Sequence, residues 1–308
     1  MERYDIRFAS GSDECAAWHY PGTNGGCVIM AGGLAVTKEP GTDRFARRFH
    51  EAGFSVLAFD YRRMGDSSGT PRQVARPRDE LADWKAAIGH AATWLPEVDP
   101  DRLAAWGFSA TGGHVFRVAA RSHRLRAAIA QSPNADGPAA ARAAGRYQQP
   151  LAMARLTLRG VLDGLGGLAG RPPLLVPLTG EPGTVAVAVA PDGRLGGQVL
   201  NPDGAYPGWQ QAVAARSVLR MCGYRPGRDA ARVTCPLLVV ACEQDQTALA
   251  APAVRAAARA PRGELVSLPG GHYAPFLEAH EETVEAELSF LRRHLLSGRR
   301  GAVTAAGA

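Results

Sequence analysis

Short apolar runs alternate with longer helical patterns along most of the 308-residue chain, and this alternation limits the folds open to it more than any other feature. The runs are almost continuously apolar, as expected for parallel strands covered by helices on both faces. Six of them follow one another at residues 27–32, 55–60, 103–108, 126–132, 235–242 and 263–270. Two earlier runs, 2–8 and 14–20, flank a turn and predict an antiparallel hairpin. The sequence therefore predicts an α/β protein with a mostly parallel eight-stranded sheet and helices on both faces.

The alternation breaks between Pro133 and Thr234. This segment contains Gly/Pro-rich pieces such as GRPPLLVPLTGEPGT and at least two apolar helical stretches. We interpret it as a helical cap inserted between the sixth and seventh strands, with residues 1–132 and 235–297 forming one core domain. A chain of this length fits one large α/β domain with such an insertion. Residues 298–308 have few side chains to bury and are predicted to be disordered.

Charge and composition argue against a nucleic-acid or membrane partner. The formal net charge is +6, but the 35 basic residues are scattered and form no run interleaved with aromatic residues. The first residues lack the apolar core of a signal peptide, and no stretch approaches the roughly 18 apolar residues of a membrane span. Five cysteines without a C-x-x-C pair indicate neither a disulfide framework nor a zinc site. We expect a cytoplasmic protein with no nucleic acid, no membrane, no cofactor and no metal.

The stretch AAWGFSATGGHV, residues 104–115, joins an apolar run to a helical pattern through a serine near glycines. A tight strand-to-helix turn exposes a serine hydroxyl, and the helix N-terminus brings backbone N–H groups and the positive end of its dipole close to it. Gly107, Gly112 and Gly113 are the small residues that such a turn requires, although Thr111 stands where the G-x-S-x-G pattern ends in glycine. Taken alone, Ser109 fits a nucleophile and a helix N-cap about equally well.

A serine nucleophile also needs a base and an acid. Of the eight histidines, only His272 follows a predicted strand in a Gly-rich loop and precedes the last helix. Asp245 lies past the end of the run at 235–242 and is the favoured acid. Glu243 in the same stretch and Asp136 in the loop after the sixth strand are the alternatives. Taken alone, Asp245 is better explained as a turn or helix-cap residue.

The chain order Ser109, Asp245, His272 puts all three residues at the carboxyl ends of predicted parallel strands, where open α/β sheets carry their sites. The agreement of three independent placements predicts a Ser–His–Asp triad. The loop after the third strand, in VIMAGGLAVTKE, has the glycines for a sharp turn. We therefore predict that the backbone N–H groups of Leu34 and Ala110 form the oxyanion hole.

The chain resembles bacterial α/β-hydrolases of the broad group that includes X-prolyl-peptidase-like and dienelactone-hydrolase-like esterases, especially actinobacterial members with a helical cap. The matching segments are AGGLAVTKE, FARRFHEAGFSVLAFDYRRMGDSSG, DWKAAI, VDPDRLAAWGFSATGGHV, CPLLVVACEQD and PGGHYAPF. The resemblance implies the α/β-hydrolase fold, with Ser109 as nucleophile, Asp245 as acid and His272 as base. It also implies Leu34 and Ala110 as oxyanion donors.

Two residues depart from the pattern of that group. Gly32 stands where the group commonly has a histidine, and Thr111 replaces a glycine. The stretch GLGGLAG at 164–170 can be written as G-x-G-x-x-A, but it follows a helical pattern where a dinucleotide site would follow a strand. The resemblance does not fix the substrate, because this fold carries many chemistries.

The cap is the predicted specificity element. Its apolar stripe, formed by Leu151, Met153, Leu156, Leu158, Val161, Leu162 and Leu165, is expected to close over the sheet edge. We predict Gly33, Tyr147, Leu151, Trp209 and Tyr273 as substrate-binding residues. An apolar cap over a serine site favours a small molecule with a hydrophobic or bulky acyl group. The same apolar helices could instead form a homodimer interface.

Two activities follow from these expectations. In the first, Ser109 attacks an ester, thioester or lactone after His272 takes its proton, and water releases the acyl-enzyme. In the second, the same residues serve a lyase, cyclase or acyltransferase in secondary metabolism, with the cap excluding water. A ligand-binding protein without activity is disfavoured because no member of the predicted triad is missing.

Overall fold

An eight-stranded sheet lies at the centre of the computed structural model, which describes residues 2–297. Its strands are β1 (Tyr4–Ser10), β2 (Asp13–Tyr20), β3 (Cys27–Ala31), β4 (Ser55–Phe59), β5 (Leu103–Phe108), β6 (Leu125–Gln131), β9 (Leu237–Cys242) and β10 (Gly263–Leu268). They lie side by side in the order β1-β2-β4-β3-β5-β6-β9-β10. The predicted sheet and its eight strands are confirmed. The tail at 298–308, predicted to be disordered, lies outside the described residues.

The strand directions bring the predicted site residues to one edge of the sheet. The hairpin β1–β2 is antiparallel, and β2 joins β4 in antiparallel register. From β4 to β10 every neighbouring pair is parallel. The loops that follow β3, β5, β6, β9 and β10 therefore leave the sheet at the same carboxyl edge.

Burial explains why the central runs are continuously apolar. Every residue of β3, β4, β5 and β9 is buried, because helices cover both faces of these strands. The edge strand β10 alternates exposed and half-buried residues over most of its length. Its sequence, GELVSL, accordingly mixes polar and apolar side chains, as expected for a strand with one solvated face.

Helices pack on both faces of the sheet. In the described residues they are α1 (Lys38–Glu51), α2 (Pro77–Trp94), α3 (Ala110–Ala119), α4 (Gly137–Ala144), α5 (Pro150–Leu168), α6 (Gly196–Leu200), α7 (Ala215–Gly223), α8 (Ala250–Arg259) and α9 (His280–Leu291). On one face α1 packs against α9 near Trp106, whose indole N–H is bonded to the Glu287 carboxylate of α9. On the other face α2 packs against α3. No helix in residues 2–297 combines the length and the apolar character needed to cross a membrane.

The segment between β6 and β9 contains α4 to α7 and a separate two-stranded ribbon of β7 (Leu175–Pro177) and β8 (Ala212–Ala214). Within it, α7 packs against both α4 and α5. The indole N–H of Trp209 donates to the carbonyl oxygen of Ala35 at 2.9 Å. This hydrogen bond connects the inserted segment to the loop that follows β3.

Candidate active site

Ser109 occupies the turn between β5 and α3. Its backbone has φ 57° and ψ −119°, a region that residues other than glycine rarely adopt and that costs about 1–3 kcal/mol. Ser109 stands at the N-cap position of α3, but its side chain makes no capping hydrogen bond. Its Oγ lies 2.9 Å from Nε2 of His272 instead. The turn therefore directs the hydroxyl toward the histidine and away from the helix end.

Small residues permit this turn because its neighbours approach closely. A Cβ on Gly107 would lie 2.7 Å from both Cγ2 and the carbonyl oxygen of Thr111, and a Cβ on Gly33 would lie 3.3 Å from Cβ of Ser109. The departure at Thr111 has a physical reason. Its methyl group fills the space beside Gly107, and its hydroxyl is hydrogen-bonded to the Tyr61 hydroxyl at 2.9 Å.

The structure brings Ser109, His272 and Asp245 together in hydrogen-bond contact. Nδ1 of His272 lies 2.7 Å from Oδ2 of Asp245, and Nε2 lies 2.9 Å from Oγ of Ser109. The second oxygen of Asp245 accepts the backbone N–H groups of Thr247 and Ala248, at 2.9 and 2.7 Å. The carboxylate is therefore held by the loop after β9, and Nδ1–H of the imidazole donates to it. This leaves Nε2 free to accept the serine proton.

The two alternative acids lie elsewhere. Glu243 is exposed and accepts a hydrogen bond from the Ser267 hydroxyl. Asp136 caps α4 by accepting the N–H of Ala139. Neither carboxylate is bonded to the imidazole of His272, whose partners are Asp245 and Ser109.

His272 is enclosed, with 1% of its surface exposed. Burial of the ring lowers the pKa of His272, but the charge and hydrogen bond of Asp245, together with the charge of Asp192, raise it above its ordinary value overall. A nearby carboxylate that stabilises the imidazolium is what a general base requires once it has accepted a proton.

The loop after β3 faces the start of α3 across the serine. Ala110 is the first residue of α3, so its N–H has no acceptor within the helix. Leu34 packs against the small cluster of Ala110, Met221 and Tyr224. Leu34 and Ala110 both line the cavity that reaches Ser109. Two backbone segments with N–H groups thus flank the serine, and the role of Leu34 and Ala110 as oxyanion donors stays a prediction.

A cavity of about 240 Å³ opens at this point, and its lining includes Ser109 and His272. Most of the lining is apolar, and the inserted segment supplies many of its small residues, among them Ala140, Ala144, Ala186, Ala188 and Ala190. Two polar atoms of lining residues, Oδ1 of Asn134 and Oε1 of Gln246, are buried without a hydrogen-bond partner among the described residues. An apolar pocket with a few polar atoms is typical of small-molecule sites.

Three of the five predicted substrate-binding residues line this cavity. They are Gly33, Trp209 and Tyr273. Tyr147 and Leu151 do not, so the structure does not bring these two residues to the cavity. Tyr147 lies in the turn between α4 and α5, where its neighbour Gln148 lines the cavity instead.

The position of Leu151 has a geometric cause. On α5 the cavity is lined by Met153, Leu156 and Thr157, which share one face at helical spacing. Leu151 lies on the opposite face and is 60% exposed. Leu158, Val161, Leu162 and Leu165 of the predicted stripe are exposed as well. Met153 and Leu156 of the predicted stripe therefore face the cavity, and its other five side chains face the solvent.

Sequence reasoning missed the polar residues of the cavity. Asn134 comes three residues after the end of β6, at the same carboxyl edge as the triad, and this placement could have identified it. Gln148 and Gln211 lie in the inserted segment, where no predicted strand end indicates which side chains face the site, so no pattern in the sequence identifies them.

Among residues 2–297, the acidic side chains spaced for a metal ion are Glu39, Asp60 and Asp66. The ammonium of Lys38 already lies among them, 2.9 Å from Asp60 Oδ2 and 2.7 Å from Asp66 Oδ2. Burial and these carboxylates act in opposite directions, and the carboxylates keep the pKa of Lys38 above its ordinary value. The group is therefore an ion-pair cluster around a permanent cation.

Comparisons with known proteins agree with the fold. The model of the alpha/beta hydrolase family matches residues 33–286. The quorum-quenching protein AidA of Acinetobacter baumannii (strain MDR-ZJ06) is 36% identical over 294 residues, or 94% of this chain and 94% of AidA. The polyketide transferase af380 of Aspergillus fumigatus is 29% identical over 185 residues, or 59% of this chain and 60% of that protein.

Solved structures give the same result. The structure of DcsB in complex with its substrate analogue has a TM-score of 0.80 at 21% identity, and the match covers 96% of this chain and 99% of DcsB. This likeness concerns the fold alone. The narrower esterase subgroup that the sequence resembles stays a prediction. The family model, the relative that is similar over nearly the whole length and the eight-stranded sheet together place the chain in the alpha/beta hydrolase family.

Proposed function

We propose that the protein is a serine hydrolase that cleaves an ester, thioester or lactone through an acyl-enzyme. The observation that carries this proposal is the pair of contacts at His272, 2.9 Å to Ser109 Oγ and 2.7 Å to Asp245 Oδ2. A nucleophile bonded to a base that is itself oriented by an acid is the arrangement that nucleophilic catalysis requires.

The reaction proceeds in two halves. Nε2 of His272 takes the hydroxyl proton while Oγ of Ser109 attacks the carbonyl carbon, and Asp245 stabilises the imidazolium. The N–H groups of Leu34 and Ala110 donate to the oxyanion. The imidazolium then protonates the leaving group, whose bond to carbon breaks. In the second half, His272 takes a proton from water, hydroxide adds to the acyl carbon, and Ser109 is released with its proton restored.

The substrate carries a hydrophobic or bulky acyl group. This inference rests on the mostly apolar lining of the cavity and on the alanines that the inserted segment presents to it. We propose that the segment acts as a cap, with Trp209 fastening it beside the oxyanion loop. Because AidA is named a quorum-quenching protein, small signalling esters and lactones are among the first compounds to assay.

A second candidate function keeps the acyl-enzyme and changes its acceptor. A relative named a polyketide transferase favours it, since transfer of the acyl group to an alcohol or amine uses the same nucleophile and base. Adding a small alcohol to the assay separates the two, because a transferase forms the new ester faster than the free acid.

The test is turnover of p-nitrophenyl esters of increasing chain length. We expect Ser109→Ala to abolish turnover above the residual level, and Asp245→Asn to lower kcat by about 10³–10⁴-fold because the histidine loses its orienting anion. Glu243→Gln is the matched control, since this carboxylate lies two residues away and is exposed. Equal losses in Asp245→Asn and Glu243→Gln would contradict the assignment of the acid.

A further inference from the structure

One carboxylate of the inserted segment is bonded to both loops that carry the histidine and the acid. Oδ2 of Asp192 accepts the backbone N–H of His272 at 3.1 Å and that of Gln246 at 2.8 Å. Oδ1 accepts the hydroxyl of Thr247 at 2.9 Å. Gln246 and Thr247 directly follow Asp245, so a single side chain joins the two loops at the residues next to the triad.

The contact depends on close approach of the segments. A Cβ on Gly271 would lie 2.9 Å from Cβ of Asp192, and a Cβ on Gly193 would lie 2.7 Å from Oγ1 of Thr247. Neither distance is compatible with a side chain. Glycine therefore stands on both sides of the contact, next to His272 on one side and next to Asp192 on the other.

Asp192 also contributes to the electrostatics of the histidine. The charged groups that act on the imidazole are Asp245, from the loop after β9, and Asp192, from the inserted segment. Ser109 and the ring of Phe108 approach it from the end of β5, and Tyr273 from its own loop, without a charge. Both anions favour the imidazolium and raise the pKa of His272, against the effect of burial.

We propose that Asp192 is a positioning residue, through which the inserted segment holds the histidine loop and the acid loop at the spacing the triad needs. The proposal rests on the proposed function for its kinetic consequence. The histidine loop and the acid loop both belong to the core. On this proposal, they hold the triad geometry only when the inserted segment packs against the core. Asp192 does not line the cavity, although Gln246 and Thr247, which it holds, do, so we expect a large effect on kcat and a smaller one on KM.

The decisive variant is Asp192→Asn, which keeps the shape of the side chain and removes its charge. We expect kcat to fall by about tenfold or more, since two backbone donors lose a charged acceptor. The acid limb of the kcat/KM profile should move to lower pH, because removing the anion lowers the pKa of His272. Asp192→Glu keeps the charge but misplaces it, so kcat should fall while the acid limb stays closer to that of the wild type.

Asp203→Asn is the matched control, because it makes the same change at an exposed residue of the same segment. A kcat for Asp192→Asn within about twofold of the wild type, with an unmoved acid limb, would overturn the proposal. The proposal would also be overturned if circular dichroism showed that the whole loss of kcat in Asp192→Asn comes from an unfolded fraction of the protein.

An NMR titration of the His272 ring, assigned with His272→Gln, gives a readout that needs no turnover. If the wild type neither turns over esters nor reacts with a serine-directed probe, the proposed function fails, while a lowered pKa of His272 in Asp192→Asn still supports the positioning role. If the wild type is active and the pKa of His272 is the same in both proteins, the positioning role fails alone.

Discussion

The positive φ of Ser109 leads to a prediction about protein stability that does not depend on any substrate. The residue is held at φ 57° and ψ −119°, at a cost of about 1–3 kcal/mol for a side chain with a Cβ. Glycine avoids this cost, but it gives the unfolded chain about 0.4–1 kcal/mol of additional conformational freedom. Ser109→Gly and Ser109→Ala both lack the hydroxyl and its bond to His272. We therefore expect Ser109→Gly to be the more stable of the two by about 0.5–2 kcal/mol.

The assay is urea unfolding followed by circular dichroism at neutral pH, with the free energy of unfolding compared between the two variants. Ala82→Gly is the control, because Ala82 is exposed inside α2, where glycine costs about 1 kcal/mol in place of alanine. Glycine should thus stabilise the protein at residue 109 and destabilise it at residue 82. If Ser109→Gly is less stable than Ser109→Ala by a similar 1 kcal/mol, the turn is not strained and the reasoning is refuted.

Three further predictions concern pH and the cavity. The acid limb of kcat/KM should lie above pH 6.5, the ordinary pKa of histidine, because the raised pKa of His272 keeps the base protonated to higher pH; a profile from about pH 5 to 9 measures it. Burial raises the pKa of Glu287 well above its usual range, so the contribution of this group to the free energy of unfolding falls as pH rises above about 4.3, the pKa of an unfolded glutamate. Glu287→Gln keeps an acceptor for Trp106 and should gain stability relative to the wild type between about pH 5 and 9, as measured by unfolding at both values. Ala144→Phe should fill part of the cavity and move the preferred ester to a shorter acyl chain, which the p-nitrophenyl series detects.

The core of the fold could be predicted because its signals are local. The apolar runs are continuous where helices cover both faces of a strand, so the sequence identifies the strands and their ends. The residues that follow those ends, such as Ser109, Asp245 and His272, meet at one edge of the sheet, as is general for parallel strands. The contact among the three then needs no information beyond their places in the chain.

The inserted segment could not be predicted in the same way. Helical periodicity groups Leu151 with Leu158 and Leu165, but it does not say whether that face meets the core or the solvent, and here it is exposed. The face that lines the cavity contains Met153, Leu156 and Thr157, a less regular apolar pattern. The bond of Asp192 to His272 joins residues 80 positions apart and leaves no pattern in the sequence.

The most direct test of the central claim, that Ser109 is an activated nucleophile, is the intact mass of the protein after reaction with a fluorophosphonate probe. Ser132→Ala is the matched control, because Ser132 directly follows the neighbouring strand β6 and also has a positive φ. The account predicts one adduct on the wild type and on Ser132→Ala, mapped to Ser109 by peptide analysis, and none on Ser109→Ala. An unlabelled wild type, or an adduct that persists in Ser109→Ala, would contradict it.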